Sequence, residues 1–169
     1  MRGTRRVPKG SSMTTVQSID FDVFCERLPQ AVEALRTLSR ISEQNLDKAL
    51  VELVKVRASQ INGCAYCLQL HLNWARKAGV PQSTLDRLAA WREAPGFTEA
   101  ERAALAWAEA LTDPGRRAEI DSARQALQEM FAEEQLLRLT VAIATINAWN
   151  RIAGALGFAP PPAQLGEER

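Results

Sequence analysis

Apolar residues recur every three or four positions along most of this chain, and no stretch alternates apolar and polar residues as a half-buried strand does. Alanine, leucine, arginine and glutamate, which all favour helices, dominate the composition. The pattern therefore predicts an all-α fold, a single compact domain of about six or seven helices.

Local signals predict where individual helices begin and end. Thr98-Glu99-Ala100-Glu101 forms a capping box that should open a helix reaching about Leu111, and Asp113-Pro114-Gly115 should end it. Further helices are expected over 28–40, 46–59, 64–78, from near 83, and over 133–156. Since no repeat or long linker divides the chain, we expect one domain over 19–158, a disordered tail over 1–18 and a flexible tail over 159–169.

Charge and length exclude several classes of protein. A formal net charge of +1 provides no field for nucleic acid or an anionic membrane, so we expect neither as a partner. The longest apolar run, Leu139 to Ile146, is far shorter than the roughly 20 residues that span a bilayer. Three cysteines are too few for a disulfide scaffold, and no apolar segment follows the basic first residues as in a secretory signal. These features favour a cytoplasmic location.

The stretch NGCAYCLQLHLNWARKAG, residues 62–79, holds two of the three cysteines and the only histidine. At 100° per residue, Cys64, Cys67 and His71 share one helix face. Their neighbours on that face are apolar: Leu68, Trp74, Ala75 and Ala78. Asn73 falls on the opposite, solvent side.

Three interpretations fit that face: ordinary helix core, a metal site, or a redox-active dithiol. A structural zinc site needs four ligands, usually from two pairs, whereas this chain has one pair and a distant Cys25 that we expect to be a free thiol. A three-ligand catalytic zinc site stays possible on spacing alone. A dithiol needs only the two sulfurs, and Cys-x-x-Cys at a helix start is a recurrent solution.

The start of the helix favours a thiolate at Cys64, because unpaired N–H groups and the positive end of the helix dipole lie there. Efficient attack on a peroxide also needs a proton donor for the departing hydroxide or alkoxide. His71, one turn beyond Cys67, is the candidate donor.

Glu52, eleven intervening residues and then Cys64-x-x-Cys67-x-x-x-His71 resemble the motif of the AhpD-like alkylhydroperoxidases, within the carboxymuconolactone decarboxylase superfamily. The segments TEAERAALAWAEALT (98–112) and INAWNRIAGAL (146–156) extend the resemblance over roughly residues 20–157.

This resemblance implies a cofactor-free and metal-free hydroperoxide reductase with a redox-active disulfide, in a helical fold that assembles into trimers or hexamers. It implies that Cys67 attacks the peroxide to form a sulfenic acid and that Cys64 then condenses with it. It also implies that Glu52 and His71 form a proton relay. An external dithiol, such as a lipoyl or thioredoxin-like protein, would reduce the disulfide again.

Other interpretations stay open. Members of the group can carry a histidine between the two cysteines, where this chain has Ala65-Tyr66. Without the resemblance, Glu52 would be interpreted as part of a solvent-exposed ion pair with Lys48 or Lys55. The protein could also be a lactone decarboxylase of the same superfamily, which does not depend on Cys-x-x-Cys, or a non-enzymatic redox sensor.

Aromatic residues also allow two interpretations. Trp149, with Asn150 and Arg151, belongs to the last predicted helix, either as core packing with an anchoring hydrogen bond or as a wall of the pocket above the cysteines or a subunit contact. The other three tryptophans are expected in the core or at an interface: Trp74, Trp91 and Trp107.

Overall fold

The structure is a computed structural model that describes residues 18–164. Within these residues it contains eight α-helices and two short 3-10 segments, and no strand. The helices are α1 (Phe21–Arg27), α2 (Pro29–Ser42), α3 (Lys48–Asn62), α4 (Ala65–Lys77), α5 (Gln82–Arg87), α6 (Glu99–Thr112), α7 (Ile120–Met130) and α8 (Glu133–Leu156), with 3-10 turns at Leu88–Ala90 and Pro114–Glu119. The all-α prediction is confirmed.

Helix ends with strong capping signals lie where the sequence places them. Thr98 Oγ1 accepts a hydrogen bond from the Glu101 backbone N at 3.2 Å, and Glu101 Oε2 accepts one from the Thr98 backbone N at 2.7 Å. Gly157, with φ +69°, ends α8. Two helices that were not predicted individually, α1 and α7, have only 7 and 11 residues, so that few turns are available to reveal their period.

α3 lies at the centre of the bundle, where it packs against α4, α6 and α8. Leu53, Val54, Val56 and Ala58 on this helix are almost completely buried. A helix surrounded on several sides must bury polar residues as well. Here it also buries Glu52, Lys55 and Ser59.

A single glycine joins α3 to α4. Gly63 has φ +65°, a left-handed conformation that costs glycine little, and it ends α3. Cys64 follows directly as the N-cap of α4. This tight connection packs the helix that carries Glu52 against the helix that carries the cysteines and His71.

The two ends of the described chain meet beside the start of α4. The Ile19 backbone N donates to the Leu156 carbonyl at 3.0 Å. The ring centroids of Phe21 and Phe158 lie 5.4 Å apart, and each lies within 5.5 Å of the Tyr66 ring. Aromatic side chains from both ends therefore cover the cysteine pair.

Residues 162–164 lie along α4. Asn73 Nδ2 donates to the Pro162 carbonyl, and its Oδ1 accepts from the Gln164 backbone N, both at 2.9 Å. The expected solvent position of Asn73 is therefore wrong: this segment buries it. Residues 1–17 and 165–169, most of the two expected tails, lie outside the described residues, and those assignments stay predictions.

Within residues 18–164, no helix combines the length and apolar character needed to cross a bilayer.

Candidate active site

Two free thiols lie side by side at the start of α4. The Sγ atoms of Cys64 and Cys67 are 2.6 Å apart, and the Cys67 backbone N donates to Cys64 Sγ at 3.3 Å. Both side chains are buried. Because a disulfide bond is about 2.05 Å long, small side-chain rotations are enough to join the two sulfurs.

The hydrogen bond between the thiols makes them chemically different. Donation from Cys67 lowers the pKa of Cys64 to about 7 from an ordinary value of 9.0, against the opposing effect of burial. The same hydrogen bond, together with burial, raises the pKa of the Cys67 thiol. Cys64 is therefore the more acidic thiol, as its position at the helix start predicts.

A cavity of about 630 Å³ opens onto one of the two thiols. Cys67 and His71 line it, whereas Cys64 does not. Most of its wall is apolar and aromatic, formed by Phe21, Tyr66, Leu70, Trp74, Ile146 and Trp149. Cys64 is thus the more acidic thiol, whereas Cys67 is the thiol that a ligand in the cavity can reach.

His71 and Glu52 form a buried pair between α4 and α3. His71 Nδ1 lies 2.7 Å from Glu52 Oε2, and both residues are less than a tenth exposed. Burial lowers the pKa of His71, although the Glu52 carboxylate opposes this effect. A neutral imidazole that donates from Nδ1 to the carboxylate keeps Nε2 free to accept a proton.

The solvent-exposed interpretation of Glu52 is wrong, because its side chain is buried against α4. The lysine beside it is buried too: Lys55 Nζ lies 3.9 Å from Glu52 Oε1 and also pairs with Glu43. A carboxylate held near a buried cation and a histidine is suited to keep the imidazole in one orientation.

Sequence reasoning missed the contact of Asn150 with the thiols. The polar side chain of Asn150 lies beside both thiols and lowers the pKa of Cys64 and of Cys67. It is itself held by Asn62 Nδ2, at 2.9 Å, and by Ser59 Oγ, at 3.1 Å. A buried amide in the middle of the apolar α8 was the available signal, since such groups need partners.

The remaining candidates fall in different places. Trp149 lines the cavity, whereas Arg151 is exposed and outside it. Trp91 and Trp107 are buried, but Trp74 is 43% exposed at the cavity. Cys25 is a partly buried free thiol on α1, as expected.

No group of three or more histidine, cysteine, aspartate or glutamate side chains in the described part of the chain is arranged to hold a metal ion.

Comparison with known families agrees with this geometry. A family model described as the carboxymuconolactone decarboxylase family matches residues 26–110, half of the chain. The chain belongs to the carboxymuconolactone decarboxylase family. One similar protein is the uncharacterized protein YdfG of Bacillus subtilis (strain 168). It is 34% identical to this chain over 136 residues, which cover 79% of this chain and 92% of YdfG.

Solved structures place this family member among AhpD-like proteins. One is a protein of unknown function from Agrobacterium tumefaciens that carries the provisional name of antioxidant defence protein AhpD. It is 35% identical, with a TM-score of 0.78 over 82% of this chain and 96% of that one. The debrominase Bmp8, at 21% identity and a TM-score of 0.73 over 82% of this chain and 75% of its own, shares the fold. The AhpD-like resemblance is confirmed.

Proposed function

We propose that this family member is a thiol-dependent hydroperoxide reductase that cycles between the Cys64 and Cys67 thiols and their disulfide. The observation that carries the proposal is the pair of free sulfurs 2.6 Å apart, one of which belongs to a residue lining an apolar cavity shared with His71. A dithiol needs no cofactor for this chemistry.

In the first step the Cys67 thiolate attacks the terminal oxygen of the hydroperoxide. The O–O bond breaks, the sulfur becomes a sulfenic acid, and an alkoxide leaves. Access to the cavity supports Cys67 as the attacking residue in this step. Because its pKa is raised, the thiol needs a base: His71 Nε2 accepts the thiol proton and then returns it to the alkoxide.

In the second step the Cys64 thiolate attacks the sulfenic sulfur, forms the disulfide and displaces hydroxide, which takes a proton from solvent to become water. A pKa of about 7 suits this role, since a large fraction of Cys64 is then ionised at neutral pH. An external dithiol, a lipoyl or thioredoxin-like protein, reduces the disulfide and completes the cycle.

Single cysteine variants test the scheme. Cys64→Ser and Cys67→Ser should each abolish peroxide turnover with a dithiol reductant, whereas Cys25→Ser should retain it. After one equivalent of peroxide, dimedone should label Cys67 in Cys64→Ser and label nothing in Cys67→Ser. Turnover that survives in both variants, or label at Cys64, contradicts the scheme.

Steady-state consumption separates this enzyme from a redox sensor with the same disulfide. A sensor would lose two thiols per chain after one equivalent of peroxide and then stop, even with reductant present. A lactone decarboxylase is disfavoured because its reaction leaves the paired thiols without a role.

We also propose that the chain forms a homo-oligomer through the outer faces of α2 and α8. Four large apolar side chains are exposed there: Leu38, Ile41, Leu137 and Val141. The two helices pack together, and Arg138 of α8 donates to the Ile41 carbonyl. Arg138 Nε is buried without an acceptor among residues 18–164, and a second copy is a natural source of one.

A further inference from the structure

The cavity beside Cys67 is much larger than hydrogen peroxide requires. Its volume of about 630 Å³ lies within the range of sites that enclose organic ligands, about 300–1,000 Å³. Hydrogen peroxide would leave most of this space to water. The size therefore favours a substrate with an organic body attached to its peroxide group.

The part of the cavity wall formed by α4 and α8 is apolar apart from Cys67 and His71. Tyr66 and Leu70 belong to the same helix as Cys67, and Ile146 and Trp149 face them from α8. Trp149 and Tyr66 both neighbour the Phe21 ring, with centroid distances of 6.5 and 5.3 Å. These side chains would remove apolar surface of a substrate from water and leave its peroxide group near Cys67.

Charged residues from α2, α3 and the turn after α2 also line the cavity. Most of them neutralise one another: Arg40 pairs with Glu33 at 2.8 Å, and Lys55 pairs with Glu43. Arg36 differs, because it forms no ion pair with any residue between 18 and 164.

Arg36 has only weak contacts. Its Nη2 lies 4.0 Å from Cys25 Sγ, and its Cζ lies 5.9 Å from the centroid of the Phe21 ring. Its positive charge acts on Tyr66, the chain neighbour of Cys67, whose pKa it lowers against the larger effect of burial. A guanidinium lining the cavity is thus available to a ligand, and its planar donors match a carboxylate.

From this arrangement we propose that the cavity binds hydroperoxides that carry a carboxylate on an apolar body, with Arg36 binding the carboxylate. The inference rests on the proposed function for the reaction at Cys67, but not for the binding itself. Two kinds of molecule have this chemistry: fatty-acid hydroperoxides, with a chain as the body, and aryl-alkyl acid hydroperoxides, with a ring.

Binding of unoxidised acids tests the site without any turnover. The probes are linoleate and 4-phenylbutanoate, each with its methyl ester, below their aggregation limits, and the signal is quenching of tryptophan fluorescence in the reduced full-length protein. The wild type should bind at least one acid about tenfold more tightly than its ester, as expected for one charge-assisted contact. The acid with the stronger preference identifies the chain or the ring.

Arg36→Gln should abolish the preference for acid over ester, and Arg36→Lys should restore part of it. The matched control is Arg151→Gln, which changes an exposed arginine of α8 outside the cavity and should keep the full preference. Thermal unfolding followed by circular dichroism establishes that the variants are folded. Equal binding of acid and ester by the wild type, or an unchanged preference in Arg36→Gln, overturns the proposal.

Kinetics separate this inference from the proposed function. With a linoleate hydroperoxide, Arg36→Gln should raise KM about tenfold, whereas KM for tert-butyl hydroperoxide, which has no carboxylate, should not change. An acid preference that depends on Arg36 in a protein without peroxide turnover would support the binding site and overturn the peroxidase. Peroxide turnover without any acid preference would support the peroxidase and overturn the carboxylate-binding site.

Discussion

At the scale of single residues, the site divides acidity and access between two cysteines. Cys64 receives the hydrogen bond that stabilises its thiolate, and Cys67 lines the cavity. If Cys67 attacks the substrate, it depends on His71 for deprotonation, and His71 depends on Glu52 for its orientation. The reactive unit that we propose is therefore four side chains on two helices rather than the cysteine pair alone.

The first prediction concerns the acidity of Cys64. Thiolate absorbance of the reduced protein near 240 nm should rise with a midpoint near pH 7. Cys64→Ser should remove this midpoint. Cys67→Ala should move it towards 9.0, because the side-chain hydrogen bond to the Cys64 thiolate is lost.

Cys25→Ser is the control and should leave the midpoint near 7. A midpoint that disappears in Cys67→Ala but persists in Cys64→Ser would assign the acidic thiol to Cys67 instead.

The second prediction concerns the pH dependence of stability. Burial lowers the pKa of His71 below its ordinary 6.5, so the unfolded chain binds a proton at a pH where the folded chain does not. The free energy of unfolding should therefore fall as pH drops below about 6.5, by at most about 1.4 kcal/mol per pH unit from this group.

Urea unfolding at pH 7.5 and 5.5 measures this effect as the difference between wild type and His71→Gln. The variant lacks the titrating group, so its own pH dependence should be smaller. An equal loss of stability in both proteins would exclude His71 as the cause.

At the scale of secondary structure, α3 carries two separate buried charge clusters. Towards α4 it contributes Glu52 with the neighbouring Lys55, and towards α6 it contributes Arg57, whose Nε donates to Glu109 Oε1 at 2.7 Å. Glu109 is fully buried and also accepts from Trp91 Nε1, at 2.9 Å, and from Arg92. Burial alone would raise its pKa, but these donors lower it.

The third prediction is that Glu109→Ala destabilises the fold by about 3–5 kcal/mol, because the change leaves Arg57 and the Trp91 N–H without their buried acceptor. Chemical denaturation measures the loss. The control is Glu119→Ala, which removes a half-exposed carboxylate that shares Arg92 with Glu109 and should cost less than about 1 kcal/mol. Similar losses in both variants would show that the buried acceptor has no special role.

At the scale of the whole molecule, α8 is apolar on almost all sides, which is typical of a helix covered all round. Its exposed Leu137 and Val141 lie on the face proposed for self-association. The fourth prediction is that the double variant Leu137→Glu/Val141→Glu dissociates the protein into monomers in analytical ultracentrifugation. Met130→Glu, which changes an exposed apolar residue of α7, should keep the wild-type mass. A monomeric wild type contradicts the proposed assembly.

The sequence was sufficient to predict features that depend on nearby residues. The capping box at Thr98, the bounds of α8 and the shared face of Cys64, Cys67 and His71 all follow from helical spacing and local caps. The all-α fold follows from the same periodicity over the whole chain.

Features that depend on packing between helices could not be predicted in this way. The burial of Glu52 and Lys55 depends on contacts with α4 and with Glu43 after α2, and their spacing on α3 alone indicates a solvent-exposed pair. The contact of Asn150 with the thiols joins segments more than 80 residues apart. Asn73 is buried by residues that follow the last helix.

The aromatic cover formed by Phe21 and Phe158 links thiol access to both ends of the described chain. An affinity tag, a fusion partner or a truncation that disturbs α1 or the residues after Leu156 would expose Tyr66 and the sulfurs next to it. We therefore expect rates measured on trimmed or tagged versions to differ from those of the intact chain although every reactive side chain is present.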